Sequence, residues 1–199
     1  MFIVKYRKIF YSLSVILLGV SIASVWFFGL KQGIDFVALS FVRTAGDIEV
    51  LRKLLKKYKS DAQIVAKIET TEAIENIDSI IAATDVIMVA RGDLAIEAGP
   101  EKVPSYQKQI VKKCNEVGKP VIVATQMLES MITTPVPTRA EVSDVANAIF
   151  DGADAVMLSE ETTLGDYAVE AVEMMTKVAV KVENELRQRS IMFNIDVNE

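Results

Sequence analysis

Short apolar runs alternate with helical patterns from Asp35 onward, and this alternation constrains the fold more than any other feature of the chain. The runs lie at 35–41, 64–69, 85–91, 120–126 and 155–160, and the helical patterns lie near 45–58, 72–83, 103–117, 138–150 and 166–189. Near-continuous apolar strands separated by helices are typical of a parallel sheet that helices cover. The sequence therefore predicts an α/β fold in which each strand is followed by a helix.

The ends of the predicted helices carry the residues expected there. Pro104 stands at the start of one helix, and Gly118 stands just past its end. Thr138 is suited to an N-cap, and Glu141, three residues later, completes a capping box. These signals support the helices over 103–117 and 138–150.

Polar residues interrupt the apolar pattern where each of the last four strands ends. The set is Lys67 and Glu69, Arg91 and Asp93, Thr125 and Gln126, and Ser159 and Glu161. In a (β/α) barrel the carboxyl ends of the strands form the face on which active sites are built. Two carboxylates and a lysine that meet there suit a divalent cation together with an anionic, phosphate-bearing ligand.

Composition excludes several classes of site. The 199 residues include no histidine, so catalytic triads and zinc sites built on histidine are excluded. The single cysteine, Cys114, cannot form an intrachain disulfide. The net charge is −5, and this acidic balance argues against nucleic acid as a partner.

The N-terminal segment contains a run without charge, at residues 9–30. At 1.5 Å per residue this run reaches about 33 Å, which is enough to cross a hydrocarbon core. Lys5, Arg7 and Lys8 precede the run and predict a cytoplasmic N-terminus over 1–8. We therefore expect a single-pass membrane protein, and a cleaved signal peptide and a buried core helix are the alternatives.

The same segment resembles a membrane protein. The stretch YRKIFYSLSVILLGVSIASVWFFGLKQGIDF is similar to the first transmembrane helix of the SecF subunit of the bacterial protein-export machinery. The resemblance covers residues 1–36 and implies a junction at 31–36. A fragment related to that export subunit is accordingly one alternative for the whole chain.

The body carries motifs of a different family. These are AKIETTEAI at 66–74, MVARGDLAIEAG at 88–99, ATQMLESM at 124–131, PTRAEVSDVANA at 137–148 and DAVMLSEET at 154–162. From about residue 35 to 187 the chain closely resembles pyruvate kinase, a family whose members are cytoplasmic. The resemblance implies a partial TIM (β/α)8 barrel over 37–187, with five of the eight βα units, and a C-terminal tail over 188–199.

The resemblance also implies a reaction and a metal. The family transfers a phosphoryl group between phosphoenolpyruvate and ADP, giving pyruvate and ATP. By motif, Lys67 would face the phosphoryl group and the enolate oxygen, and Glu69 and Asp93 would hold Mg²⁺ or Mn²⁺. Backbone groups of Arg91, Gly92 and Asp93, with the Thr125 hydroxyl, would seat the substrate carboxylate.

Three further residues receive roles from the resemblance. Ser159 and Glu161 match residues near the protonation of the enolate carbon. Ser40 matches a serine near the phosphoryl group and the monovalent cation. The family uses K⁺, but the segments that supply its ligands do not match any part of this sequence.

The sequence matches only strands four to eight of the family's barrel, and no part of it matches the nucleotide lid or the regulatory domain. We therefore expect a truncated or chimeric chain that is inactive alone. The alternative is a non-catalytic, membrane-anchored half barrel that forms an oligomer or binds a complementing chain.

Overall fold

The protein is described here from a computed structural model, which covers residues 34–196 and the side chains of residues 34–188. The predicted membrane helix at 9–30 lies outside the described residues, as does nearly all of the segment that resembles SecF. Among the residues that the structure describes, no helix is both long and apolar enough to span a membrane.

The described residues form a parallel sheet of five strands in the order of the sequence. The strands are β1 (Phe36–Leu39), β2 (Gln63–Ile68), β3 (Val86–Ala90), β4 (Val121–Ala124) and β5 (Ala155–Met157). Each strand pairs with the next in parallel, so all of their carboxyl ends lie at one edge of the sheet. The predicted α/β fold with a parallel sheet is confirmed.

Helices connect the strands. They are α1 (Ala45–Lys57), α2 (Thr71–Glu75), α3 (Ile77–Ala83), α4 (Arg91–Ala98), α5 (Val103–Glu116), α6 (Arg139–Phe150), α7 (Glu160–Thr163) and α8 (Ala168–Asp196), with 3₁₀ turns at Pro100–Lys102 and Glu129–Ile132. The Thr138–Glu141 capping box opens α6 as the sequence predicts. Pro104 lies in the first turn of α5, and Gly118 follows its end with a left-handed φ of 66°.

The two faces of the sheet are covered differently. The outer face packs on the helices through large buried side chains such as Ile64, Ile87 and Val123. Each such side chain contributes about 1.5–3 kcal/mol by leaving water. The inner face holds a small cluster of Val65, Val86, Met88 and Ala124. Strand β3 is buried along its whole length because it lies at the centre of the sheet.

Within the described residues, β1 and β5 each have a partner strand on one side only. Side chains near these edges are accordingly open to solvent, and Phe36 in β1 is 55% exposed. A TIM barrel closes only when all eight strands are present. The described part of the chain is thus an open five-stranded sheet, as a partial barrel would be.

Three elements differ from the sequence-based expectation. The helix predicted over 72–83 breaks at Asn76. The side-chain amide of Asn76 donates to the carbonyl of Glu72 at 3.1 Å and competes with the helical hydrogen bonds. Helix α4 begins at Arg91, whereas the sequence predicts Arg91 as the last residue of a strand. Helix α8 continues to Asp196, across the predicted boundary between barrel and tail at 187/188.

Candidate active site at the carboxyl ends of the strands

A lysine, a serine and a glutamate meet where β1 and β2 end. The Nζ atom of Lys67 lies 2.6 Å from Oε1 of Glu69 and donates a hydrogen bond to Oγ of Ser40 at 3.0 Å. The Lys67 side chain is 25% exposed, whereas that of Glu69 is fully buried. The ammonium group therefore lies between a buried carboxylate and the solvent at the rim of the sheet.

The Glu69 carboxylate is only partly satisfied. Its Oε2 atom accepts a hydrogen bond from the backbone amide of Phe41 at 2.5 Å. Its Oε1 atom is buried and accepts no hydrogen bond of acceptable geometry in the described part of the chain, although the Lys67 ammonium is close by. The Lys67 ammonium compensates the charge of this buried carboxylate, so a bound metal ion would have to share or replace that contact.

The loops after β3 and β4 meet through Thr125. Its hydroxyl oxygen accepts a hydrogen bond from the backbone amide of Gly92 at 2.8 Å. Thr125 and Gln126 have φ values of 71° and 52°, in the left-handed region. This conformation is unusual for a β-branched residue and costs about 1–3 kcal/mol per residue, so the surroundings must hold it in place. Such strain is concentrated at functional sites.

The Arg91 side chain supplies much of that support. Its guanidinium donates to the carbonyl of Thr125 at 2.7 and 3.2 Å and to the carbonyl of Gln126 at 3.2 Å. It also pairs with Asp144 of α6 at 2.7 Å and bonds Oε1 of Gln107 in α5 at 3.3 Å. Arg91 is only 7% exposed. These contacts engage its side chain within the protein, and the predicted contact of its backbone with substrate stays a prediction.

Asp93 lies in the first turn of α4 beside an open cleft. Its side chain is exposed and forms no hydrogen bond or ion pair with the described residues. The cleft has a volume of about 530 Å³ and is lined by Gly92, Asp93, Ala95, Ile96, Pro100 and Gln126. A Cβ atom built on Gly92 would point toward Thr125, 3.5 Å from its hydroxyl oxygen. Such an atom would be in ordinary van der Waals contact with Thr125.

The donor set fits a divalent metal ion that also contacts its substrate. Glu69 offers a buried oxygen that accepts no hydrogen bond, and Asp93 offers a carboxylate that is not engaged elsewhere in the described residues. Within residues 34–188 no group of three or more metal-binding side chains is found. Mg²⁺ is typically bound by one or two carboxylates, with water and phosphate oxygens as its other ligands. The assignment of Glu69 and Asp93 to the predicted ion therefore stays a prediction.

Ser159 and Glu161 follow β5, and the structure gives Glu161 contacts of a different kind from those expected. The Glu161 side chain is buried, and its two oxygens accept hydrogen bonds from the backbone amides of Leu128 at 3.2 Å and Ser159 at 2.7 Å. The carboxylate thereby joins the loop after β5 to the loop after β4. No hydrogen bond or ion pair in the described residues joins it to Lys67 or Thr125, so its predicted part in proton transfer stays a prediction.

Comparison with known proteins identifies the family. Residues 22–172 match the family model described as pyruvate kinase, barrel domain. The chain belongs to the pyruvate kinase family. It is 57% identical over 166 residues to the pyruvate kinase of Geobacillus stearothermophilus and 54% identical over 156 residues to that of Dictyostelium discoideum. A crystal structure of a pyruvate kinase from Cryptosporidium parvum superposes with a TM-score of 0.79 at 47% identity.

The matches cover most of this chain but a minor part of each relative. The Geobacillus alignment covers 83% of the chain and 28% of the relative, and the Cryptosporidium superposition covers 81% and 34%. The family match begins at residue 22, inside the charge-free run, so the similarity starts earlier than the motifs had indicated. The matches give no support to the resemblance of residues 1–36 to SecF.

Sequence reasoning missed the residues that bond the Arg91 guanidinium behind the candidate site. Asp144 lies in the motif at 137–148 but received no role, because a carboxylate within a helix reads as a solvated residue. Gln107 gave no signal, and Gln126 was noted only as a polar residue at a strand end. Their contacts with Arg91 depend on how α5, α6 and the loop after β4 pack together.

Proposed function

We propose that this chain forms the part of a pyruvate kinase site that binds phosphoenolpyruvate and Mg²⁺. The observation that carries the proposal is the buried Oε1 of Glu69, which accepts no hydrogen bond and lies beside the Lys67 ammonium at the carboxyl ends of the strands. An anionic ligand that carries a metal ion needs a cation and a carboxylate at the same place. This pair supplies both, and the ion would share the Glu69 carboxylate with the Lys67 ammonium.

Each residue has a role that follows from its contacts. Lys67 would place its positive charge toward the phosphoryl group, where negative charge develops during transfer. The Thr125 hydroxyl accepts from Gly92, which leaves its own proton free to bond the substrate carboxylate. Ser40 would hold the Lys67 ammonium in place through their hydrogen bond.

Glu69 and Asp93 would hold the divalent ion. When bound, the ion supplies Lewis-acid stabilisation to the oxygens of the substrate. The chain's own contribution is to keep one of these carboxylates buried and pre-positioned, because Glu69 is fixed by the Phe41 amide. Asp93, which is exposed, can adjust to the ion.

We further propose that a polypeptide of these 199 residues binds phosphoenolpyruvate without transferring its phosphoryl group at family rates. The Lys67 side chain is 25% exposed and Asp93 is exposed, so water reaches the site. In a wet site the electrostatic stabilisation of the transferring group is weaker. Good orientation of the two reactants can supply about 7–11 kcal/mol of the barrier in such reactions.

Calorimetric titration with phosphoenolpyruvate tests the binding proposal. We expect binding that depends on Mg²⁺ and that weakens about tenfold or more in Asp93→Asn, because one of two ion ligands is lost. Asp61→Asn is the matched control, since Asp61 is another exposed carboxylate without an ion pair in the described residues and precedes β2, at the opposite edge of the sheet. Equal binding by both variants, or binding that ignores Mg²⁺, would contradict the proposal.

A coupled assay of phosphoryl transfer tests the second part. We expect no turnover above that of Lys67→Ala, which serves as the control for contaminating host enzyme. Turnover near family levels that disappears in Lys67→Ala would show that the five-stranded segment suffices for catalysis.

The open edges favour a second function, in which the segment binds a complementing chain or another copy of itself. Edge strands present unpaired backbone groups, and Phe36 adds an exposed apolar surface at β1. Sedimentation of the purified chain tests this idea. A stable complex supports it, and a monomer at all concentrations argues against self-association.

A further inference from the structure

Thr125 and Gln126 form a turn whose backbone is strained, and this turn carries the hydroxyl that the proposed site uses. Both residues have left-handed φ values, and the Thr125 hydroxyl accepts from the Gly92 amide at 2.8 Å. A residue in this conformation relaxes to an ordinary one unless neighbouring groups prevent it. The position of the hydroxyl therefore depends on whatever holds the turn.

The guanidinium of Arg91 holds the turn at both of its carbonyl groups. It donates to Thr125 O through Nε and Nη2, at 3.2 and 2.7 Å, and to Gln126 O through Nη2 at 3.2 Å. The planar fork of arginine is suited to such paired contacts, whereas the single ammonium of lysine is not. With 7% exposure, the Arg91 fork is also held rigidly by its surroundings.

The charge of Arg91 is in turn held by Asp144. Nη1 contacts both carboxylate oxygens of Asp144, at 2.8 and 2.7 Å, and Oε1 of Gln107 at 3.3 Å. Gln107 extends the network by donating to Asp151 at the end of α6, at 3.2 Å. Helices α5 and α6 are thereby connected to the strained turn through one side chain.

We propose that Arg91 and Asp144 are positioning residues, which set the Thr125 hydroxyl and the Gly92 amide for an anionic ligand without touching it. The part of this inference that concerns the ligand rests on the proposed function. The part that concerns the turn does not, because it can be measured in the free protein.

The test compares Arg91→Lys with Arg52→Lys in the full chain. Arg52 is the control for the chemistry of the contacts, although its side chain is more exposed than that of Arg91: it donates to the Ala83 carbonyl at 2.7 Å and pairs with Asp85 at 3.2 Å, next to the opposite end of β3. Both variants keep the positive charge and lose the fork. Amide hydrogen exchange at Gly92 reports the Thr125 contact, and exchange at Val89, in the buried strand β3, reports global opening.

We expect Arg91→Lys to speed exchange at Gly92 at least tenfold relative to Val89, and Arg52→Lys to leave this ratio within twofold. Asp144→Ala is expected to act in the same direction as Arg91→Lys. Asp144→Asn is expected to have a smaller effect, since its amide oxygen can still accept from Nη1. A purely structural loss would speed both amides together and leave the ratio unchanged, which would overturn the inference.

A second measurement is the dissociation constant for phosphoenolpyruvate with Mg²⁺. We expect it to rise about tenfold in Arg91→Lys and to stay within twofold in Arg52→Lys. Equal constants in the two variants would overturn the role toward the ligand. If the unaltered chain binds no phosphoenolpyruvate, the proposed function fails, and the exchange ratio alone decides whether Arg91 and Asp144 position the turn.

Discussion

Replacing Lys67 by methionine should destabilise the protein much more than the loss of an ordinary surface ion pair. The Glu69 carboxylate is fully buried, and the Lys67 ammonium, 2.6 Å away, is the cation that compensates its charge. Methionine keeps most of the volume of the aliphatic stem and removes the charge. The variant thus leaves a buried carboxylate that retains only the hydrogen bond from Phe41.

The expected cost follows from the exposure of the two groups. Breaking a buried ion pair by removing one partner typically costs about 3–5 kcal/mol. Because the Lys67 side chain is 25% exposed, water can reach the place that the ammonium leaves and reduce this cost. We therefore expect a loss of about 2–3 kcal/mol in the free energy of unfolding.

Urea unfolding of the full chain, followed by circular dichroism, measures this loss. Lys177→Met is the matched control, because Lys177 pairs with Glu173 at 3.5 Å with both side chains more than half exposed. Such a pair is worth about 0.5 kcal/mol or less. Adding Glu69→Gln to Lys67→Met should restore part of the lost stability, since the unpaired charge is then gone. A Lys67→Met variant as stable as Lys177→Met would refute the reasoning.

Three further predictions concern other parts of the chain. Burial alone would raise the pKa of the Glu141 carboxyl, but hydrogen bonds from Ser130 and Thr138 hold this pKa below its ordinary value of 4.5. The ionised Glu141 carboxylate stabilises the fold above that value, and this stabilisation is lost as the pH falls through the lower pKa of the folded state. When the pH is lowered from about 6 to about 3, the free energy of unfolding of Glu141→Gln should therefore fall less than that of the unaltered chain. Gly165→Ala should lower the free energy of unfolding by about 2 kcal/mol or more, because the added Cβ would lie 2.4 Å from the carbonyl oxygen of Glu161. Gly118→Ala, where nothing lies within 4 Å, should lower it by only about 1 kcal/mol, and urea unfolding measures both losses. The full chain should sediment with membranes because of residues 9–30, and recovery in the soluble fraction would instead favour residues 22–30 as part of the barrel sequence, as the start of the family match suggests.

Periodicity predicted most of the fold because its signals are local. A strand such as 85–91 reads as a buried apolar run, and the capping box at Thr138 is written in consecutive residues. Helix α4 was missed because a glycine in its first turn and scattered charges hide its pattern. The break at Asn76 was missed because its competing side-chain hydrogen bond also reaches Arg43, a residue distant in sequence.

The sequence indicated which residues lie at the candidate site, but it indicated few of the contacts between them. Polar residues at strand ends indicated Lys67, Glu69, Asp93 and Thr125, and parallel pairing places them at one edge of the sheet. The hydrogen bond that fixes the Glu69 carboxylate comes from the amide of Phe41, 28 residues away in the sequence. That Arg91 faces Asp144 depends on how α6 packs behind the sheet. Neither is set by residues close together in the sequence.

The contacts at this face fall into two groups, and this division bears on how a ligand would act. Lys67 and Glu69 are held by β1 and β2, whereas Thr125 and Gly92 are held by the loops after β3 and β4. No hydrogen bond or ion pair in the described residues joins one group to the other. A ligand with a phosphoryl group at one end and a carboxylate at the other would contact both groups. Contact of the ligand with one group of residues would then help to order the other group. Binding energy from one end would then help to fix the other, which is the arrangement that a site for a small bifunctional anion requires.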